Sequence, residues 1–223
     1  MCGRFTLRAS PSVVAAQFGL FETPAWAPRF NIAPTQPVIA IRCLGTGGGR
    51  PEAVWLRWGL VPHWAEDPGI GNRLINARSE TVAAKPAFRT ALRRRRCLVV
   101  ADGFYEWKKE GSVRQPYFIR FRDDRVFAFA ALWDVWEGPE HTALESCTLL
   151  TTQPNALVRR IHDRMPVILP PEHYATWLDP ALEDPGRLLP LLGPHPADEM
   201  EAYAVTRRVN NAQWDDPQCI QPA

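Results

Sequence analysis

A cysteine at position 2 is the sharpest chemical signal in the chain. Once Met1 is removed, Cys2 carries a thiol and an α-amine on adjacent carbons. The ordinary pKa of that amine, about 7.7–8.0, leaves a neutral fraction near pH 7. An N-terminal amine can activate its own side chain as a nucleophile. A 1,2-aminothiol also does what no internal cysteine can: the amine and an aldehyde form an imine, and the thiol then closes a five-membered thiazolidine. The plain alternative is a bystander cysteine beside the start of translation. A second group, Glu106, stands in Asp102-Gly103-Phe104-Tyr105-Glu106-Trp107, directly after the apolar run Leu98–Ala101. Aromatic neighbours predict partial desolvation, which raises a carboxyl pKa toward proton-transfer work. Its alternative is an exposed glutamate in a turn. A third, His162, lies in Arg159-Arg160-Ile161-His162-Asp163-Arg164-Met165-Pro166, where Asp163 or another acid can orient the ring, or where it simply caps a turn.

Asn76 and Arg78 are two residues apart and share one side if their stretch is extended. Asparagine suits a sugar or phosphate oxygen, and arginine takes a phosphate bidentately. Against that stands a capping turn with a surface arginine. His63, in Trp58-Gly59-Leu60-Val61-Pro62-His63-Trp64, reads as structural or as a stacking partner, and the run Arg93–Arg96 as a solvated stretch or a diffuse phosphate-attracting field.

Short elements must position these groups, because proline, at 22 residues, repeatedly closes segments and disfavours a helical bundle. Ser10-Pro11 opens a helix through Phe18 that Gly19 ends. Thr23 to Pro37 is expected as a proline-rich loop. Val38–Arg42 and Ala53–Trp58 read as strands about a Gly45–Gly49 turn, which lacks the lysine of a phosphate-binding loop. Ser79 is expected to cap a helix over Glu80–Ala84, with a second helix over Pro86–Arg95. Beyond them, Cys97–Ala101, Tyr117–Arg122, Val126–Leu132, Cys147–Thr151, Pro166–Leu169 and Ala202–Thr206 read as strands. A hairpin turns about Gly111, and Pro171–Leu178 and Pro185–Leu192 are short helices. The sum is one α+β domain over residues 1–223, mainly antiparallel.

Composition bounds the class. With 223 residues and 46% hydrophobic content the chain can build a substantial core, and no apolar run approaches a membrane span. The first residues lack the pattern of a signal peptide. Five cysteines without close pairs or zinc spacing point to a reduced, cytoplasmic protein with no metal. The net charge of +2 hides an asymmetry: residues 1–96 sum to +9 and residues 97–223 to −7. The cations are 23 Arg and 3 Lys, and nine tryptophans accompany them. That composition suits phosphate contacts and base stacking, or reflects coding bias and core filler. An N-terminal nucleophile enzyme accounts for Cys2, Glu106 and His162 together. A nucleic-acid binding module accounts for arginine and tryptophan, but not for the acid and the histidine.

Six stretches carry a resemblance: Met1-Cys2-Gly3-Arg4-Phe5, Asn31-Ile32-Ala33-Pro34-Thr35, Trp58-Gly59-Leu60-Val61-Pro62, Asn76-Ala77-Arg78-Ser79-Glu80, Gly103-Phe104-Tyr105-Glu106-Trp107 and His162-Asp163-Arg164-Met165-Pro166. In this order they closely resemble the SOS-response-associated peptidase (SRAP) family, and Val209-Asn210 resembles its closing segment. The resemblance implies a curved, barrel-like β core with short peripheral helices. It implies a protein that shields abasic sites in single-stranded DNA, including single-strand/double-strand junctions, by a reversible covalent crosslink to Cys2. The family name records an autopeptidase activity that removes Met1. By motif match, Cys2, Asn76, Glu106 and His162 fall on catalytic positions, and Arg4, Trp64, Asn76, Arg78 and Trp107 on DNA-contact positions. The resemblance implies no cofactor or metal, and a monomer, nucleoid-associated if bacterial. The alternatives are a cysteine-type peptidase using Cys2 and a non-covalent single-stranded DNA-binding module. The segment Thr151-Thr152-Gln153-Pro154-Asn155 departs from the family pattern at Pro154.

Overall fold

The computed structural model describes residues 2–45, 49–139 and 142–223, so most of the expected glycine-rich turn at Gly45–Gly49 lies outside the described residues. In chain order the strands are β1 (Arg4–Leu7), β2 (Arg29–Ile32), β3 (Pro37–Arg42), β4 (Glu52–Trp58), β5 (Asn76–Arg78), β6 (Arg96–Ala101), β7 (Gly103–Glu110), β8 (Val113–Phe121), β9 (Phe127–Glu137), β10 (Ala143–Thr152), β11 (Met165–Pro166), β12 (Ile168–Leu169) and β13 (Met200–Ala204). The helices are α1 (Pro11–Phe18), α2 (Pro86–Arg94), α3 (Tyr174–Leu178) and α4 (Pro185–Leu188).

Strands β10, β4, β3, β6 and β9 form a closed barrel, because β9 pairs with β10 as well as with β6. Closure removes the free edges that an open sheet would leave. β12 extends β9, while β5 and β11 attach to β10; the β4–β10 and β5–β10 pairs are parallel and the rest antiparallel. Phe127–Asp134 of β9 is buried without alternation. The strand faces the barrel interior on one side, and α2 lays Phe88, Ala91 and Leu92 over this wall. A second, antiparallel sheet has the order β13-β8-β7-β1-β2. Its inner face meets the barrel through Phe5, whose ring centroid is 5.2 Å from that of Trp58 and 5.6 Å from that of Phe129. Its outer face, with Tyr105 and Phe118, packs under Val205, Val209 and Cys219 of the C-terminal segment. The second sheet is thus enclosed on both sides, and β1, which starts two residues after Cys2, lies inside it between β7 and β2.

Local sequence explains most of these elements. Ser10 accepts from Val13 N–H at the start of α1, and Gly19 ends it at φ 62°. At Gly103 a Cβ would stand 2.2 Å from Cζ of Phe118, so only glycine lets β7 pass that ring on its way to Glu106.

Three expectations change. The stretch Thr23–Pro37 contains β2, whose partner β1 lies far away in sequence; the Asp215 carboxylate takes the N–H groups of Phe30 and Asn31. Residues 80–84 form turns instead of a helix: Ala84 and Lys85 both donate to Thr81 O, and Lys85, which precedes Pro86, is held extended at ψ 129°. The arginine run is not a uniformly solvated stretch. Arg96 is buried and donates to the carbonyls of Leu92, Arg93, Trp177 and Asp179, while Arg95 pairs with Asp134. His63 is structural in part, its N–H and Nδ1 both 3.0 Å from Asp134 Oδ2. Among the described residues no helix is long and apolar enough to cross a membrane.

Candidate functional site

Three strands and one loop bring the distant motifs together. β1 sits between β2 and β7 with Arg4 opposite Tyr105, so the segment ending at Cys2 runs alongside Glu106 and Trp107. β5, added to β10 in parallel with Asn76 opposite Leu149, faces that segment from the other side. Asn76 Nδ2 donates to the carbonyl oxygen of Cys2 at 2.7 Å. The loop that enters β11 supplies His162, whose Nε2 is 3.9 Å from Glu106 Oε2. Arg164 anchors this loop by donating to both carboxylate oxygens of Glu80, at 2.6 and 2.9 Å, and to Thr151 O at 2.7 Å. Cys2, Asn76, Glu106 and His162 therefore share one site although more than 150 residues of chain separate its ends.

The electrostatics follow from burial. Glu106 is 1% exposed, and desolvation pushes its carboxyl up to about 7. Period-2 alternation gives the reason a different form from the one its neighbours suggest: Tyr105 and Trp107 point to the opposite face, and Phe104 shares the inner face with Glu106. Burial likewise pushes the Cys2 thiol up, and the nearby Glu106 charge adds to the shift. The thiol is therefore protonated at neutral pH. Burial lowers the pKa of His162, so its ring favours the neutral form. Its Nδ1 accepts the Arg164 N–H at 3.1 Å but is also 3.0 Å from Asp163 Oδ1. The first contact needs a bare nitrogen and the second a protonated one. In the neutral ring the backbone amide decides the tautomer, leaving the proton on Nε2, toward Glu106. A carboxyl that titrates near neutrality, a neutral imidazole and a protonated thiol are suited to passing protons around a carbonyl carbon.

Glu106, Trp107, Lys109, Arg114, Ile161, His162 and Asp163 line a cleft of about 370 Å³. Trp107 thus belongs to this site, its indole N–H held by Asn210 Oδ1 at 2.7 Å. Trp64 is 51% exposed and lines a separate hollow with Glu66, Asp67 and Arg73. Arg78 is exposed on β5, opposite Thr151. Arg4 is turned inward: it donates to Asn31 Oδ1 at 2.9 Å, Val209 O at 2.6 Å and Asn210 O at 3.2 Å. Sequence reasoning passed over Lys109 and Arg114, although counting back from a two-residue Gly111-Ser112 turn would have paired them. It also passed over Asn31 as a hub, whose contacts with Val209, Asn211 and Trp214 have no local signal.

Comparison with known proteins agrees with this fold. The family model described as SOS response associated peptidase (SRAP) matches residues 1–212. The abasic site processing protein YoqW of Bacillus subtilis is 42% identical over 225 residues, covering 99% of both chains. YoaM of the same organism, described likewise, is 43% identical over 215 residues, 95% of this chain and 93% of the relative. The abasic site processing protein HMCES of Mus musculus is 35% identical over 271 residues, spanning 100% of this chain and 76% of the relative. A crystal structure of a Bacteroides thetaiotaomicron protein superposes with a TM-score of 0.84 at 26% identity, covering 100% of each chain. A barrel flanked by a sheet that carries the buried Cys2 up to Glu106, and near-full-length similarity of this degree, lead to one assignment: the chain belongs to the SRAP family.

Proposed function

We propose that this chain processes abasic sites in single-stranded DNA, and that its mature form, beginning at Cys2, traps the opened sugar as a thiazolidine. The observation that carries the proposal is the meeting of Cys2, held through its carbonyl by Asn76 at 2.7 Å, with the Glu106–His162 pair. The relatives named as abasic site processing proteins support the substrate class.

The chemistry can be written atom by atom. Ring opening of the abasic sugar needs a proton removed from the 1′-hydroxyl and one delivered to the ring oxygen: the Glu106 carboxylate takes the first, His162 Nε2–H supplies the second, and the proton on Glu106 then returns to Nε2. The neutral Cys2 amine attacks the C1′ aldehyde and forms a carbinolamine. Glu106, near its own pKa, protonates the departing hydroxyl and takes up the proton that nitrogen releases, and water leaves to give the imine. The thiol sulfur then adds to C1′; its proton passes through the Glu106 carboxylate to the former imine nitrogen. The net change is aldehyde plus aminothiol to thiazolidine plus water. Consuming the imine removes the species that promotes β-elimination and strand cleavage. Every step runs backward through the same groups, so the crosslink is reversible. A protonated thiol suits this amine-first order, whereas a cysteine peptidase needs a thiolate with a depressed pKa. Met1 must be removed beforehand, by the protein itself or by an aminopeptidase.

Intact-mass measurement after incubation with an abasic single strand tests the proposal. The wild type is expected to gain the mass of the strand less one water. Cys2→Ser, and a protein with one residue added before Cys2, are expected to give no stable adduct. An equally stable adduct in either variant would overturn the thiazolidine.

A further inference from the structure

The hairpin of β7 and β8 turns at Gly111, and its register sets Lys109 directly opposite Arg114. Like charges in directly opposed positions weaken a strand pair. The flanking pairs do not repeat the pattern: Lys108 lies opposite Gln115, and Glu110 opposite Val113. Nor do neighbouring acids relieve it. Glu110 is taken by Lys108 at 3.2 Å, Asp163 lines the same cleft without pairing with either cation, and neither Lys109 nor Arg114 makes an ion pair or side-chain hydrogen bond with another described residue. Both nevertheless line the cleft that holds Glu106 and His162, and Arg114 is close enough to help keep His162 neutral.

An uncompensated pair of cations at the mouth of a reactive cleft fits a substrate whose negative charge is bonded close to its reacting carbon. An abasic sugar is such a substrate, with a phosphodiester on each side. We infer that Lys109 and Arg114 together grip one backbone phosphate of the strand bearing the abasic sugar, and so fix the strand's position in the cleft. The inference rests on the abasic-site reading and adds to it two residues and one defined contact. Lysine supplies a point charge and arginine a fork, so the pair can reach one phosphate from both strands of the hairpin.

The test uses single strands carrying a tetrahydrofuran analogue of the abasic site, which bind without reacting. In one set each flanking phosphate in turn is replaced by a neutral methylphosphonate. Wild type and Lys109→Gln/Arg114→Gln are compared on every strand, giving a double-mutant cycle at each position. On the unmodified strand the double variant is expected to bind about tenfold more weakly, with a salt slope smaller by about 0.7 for the one phosphate lost. At one phosphate position, neutralisation is expected to weaken the wild type but not the variant. Additive losses at every position, or an unchanged salt slope, would overturn the inference. Lys109→Glu separates binding from folding, because it places opposite charges across the hairpin. It is expected to raise the thermal midpoint while weakening DNA binding, whereas a purely structural Lys109 would lose stability. A wild type that forms no adduct with a true abasic strand would bring down the abasic-site reading as well. A normal adduct with no coupling in the cycle would bring down this contact alone.

Discussion

Asn76 Nδ2 donates to the Cys2 carbonyl oxygen at 2.7 Å, so a side chain on β5 pins the peptide that leads into the second sheet. This bond crosses between the two sheets and orients the residue whose amine and thiol must reach one carbon. Asn76→Ala removes the donor, and Asn76→Asp sets a carboxylate against a carbonyl oxygen. The crosslinking rate is expected to fall about tenfold in Asn76→Ala and further in Asn76→Asp, with undamaged single-strand affinity changed less. Single-turnover crosslinking alongside equilibrium binding checks this; equal losses in both would make Asn76 a DNA ligand instead of a positioning residue.

Burial of Glu106 has a stability signature with a definite sign. Its carboxyl moves from 4.5 to about 7 on folding, so the unfolded chain releases the proton first as pH rises. Between those values the folded state holds more protons, and stability falls with rising pH. The full loss is reached above pH 7 and is of order 3 kcal/mol. Glu106→Gln is therefore expected to match the wild type near pH 4 and to exceed it in unfolding free energy at pH 8. The comparison is made on full-length chain whose Met1 is verified by mass. Denaturant titrations at several pH values decide it; a gap that does not grow with pH would refute the buried, raised carboxyl.

Much of this arrangement was legible because it rests on local rules. Ser10 and Gly19 bound α1, Gly111 turns the hairpin, and branched or aromatic runs mark the barrel strands. What escaped depends on pairing across the chain. β2 is four residues in a proline-rich stretch, and it is a strand because β1 and Asp215 supply its hydrogen bonds. Glu106 was expected to be desolvated by the aromatic residues around it; Phe104 does share its face, while alternation turns Tyr105 and Trp107 away and tertiary packing completes the burial. The motifs named Cys2, Asn76, Glu106, His162 and Trp107, and the fold brings all five to one place. It sets Trp64 apart and commits Arg4 to internal partners, which no spacing along the sequence could tell.

Those placements separate two arginines expected to contact DNA. Arg4 ties Asn31 to the C-terminal carbonyls of Val209 and Asn210. Arg4→Ala is expected to lower stability by roughly 2–3 kcal/mol, since it removes hydrogen bonds from a charged, half-buried group. Exposed Arg78 should behave in the opposite way: Arg78→Glu is expected to stay within about 0.5 kcal/mol of wild-type stability while weakening single-strand binding and flattening its salt dependence. Thermal melts paired with salt titrations check both. An Arg4→Ala protein that melts like wild type but binds poorly would make Arg4 a phosphate ligand.

The same measurements divide the tryptophans. Trp107 lines the cleft, and Trp64 lies beside Glu66 and Asp67 in another hollow. Loss of a stacked base costs about 1–3 kcal/mol, so Trp107→Ala is expected to weaken binding roughly tenfold or more and Trp64→Ala less. The reverse order would move the base-stacking surface to the Trp64 hollow.

Glu106 and His162, with Oε2 and Nε2 3.9 Å apart, are close enough to serve one transition state but are assigned different protons. Closed sugar must open before the amine can attack, and delivering a proton to the ring oxygen is work for the Nε2–H of a neutral imidazole. Glu106 handles the protons at nitrogen and sulfur, in both directions. His162→Ala is therefore expected to slow crosslink formation, and Glu106→Gln to slow exchange of a preformed crosslink onto excess competitor strand more than it lowers the final yield. If the groups act in a single step, Glu106→Gln/His162→Ala should lose less than the product of the two single losses. Exchange followed by labelled competitor gives the reversal rate directly. A Glu106→Gln protein that exchanges as fast as wild type would take the proton-transfer role from Glu106 and leave it only a positioning one.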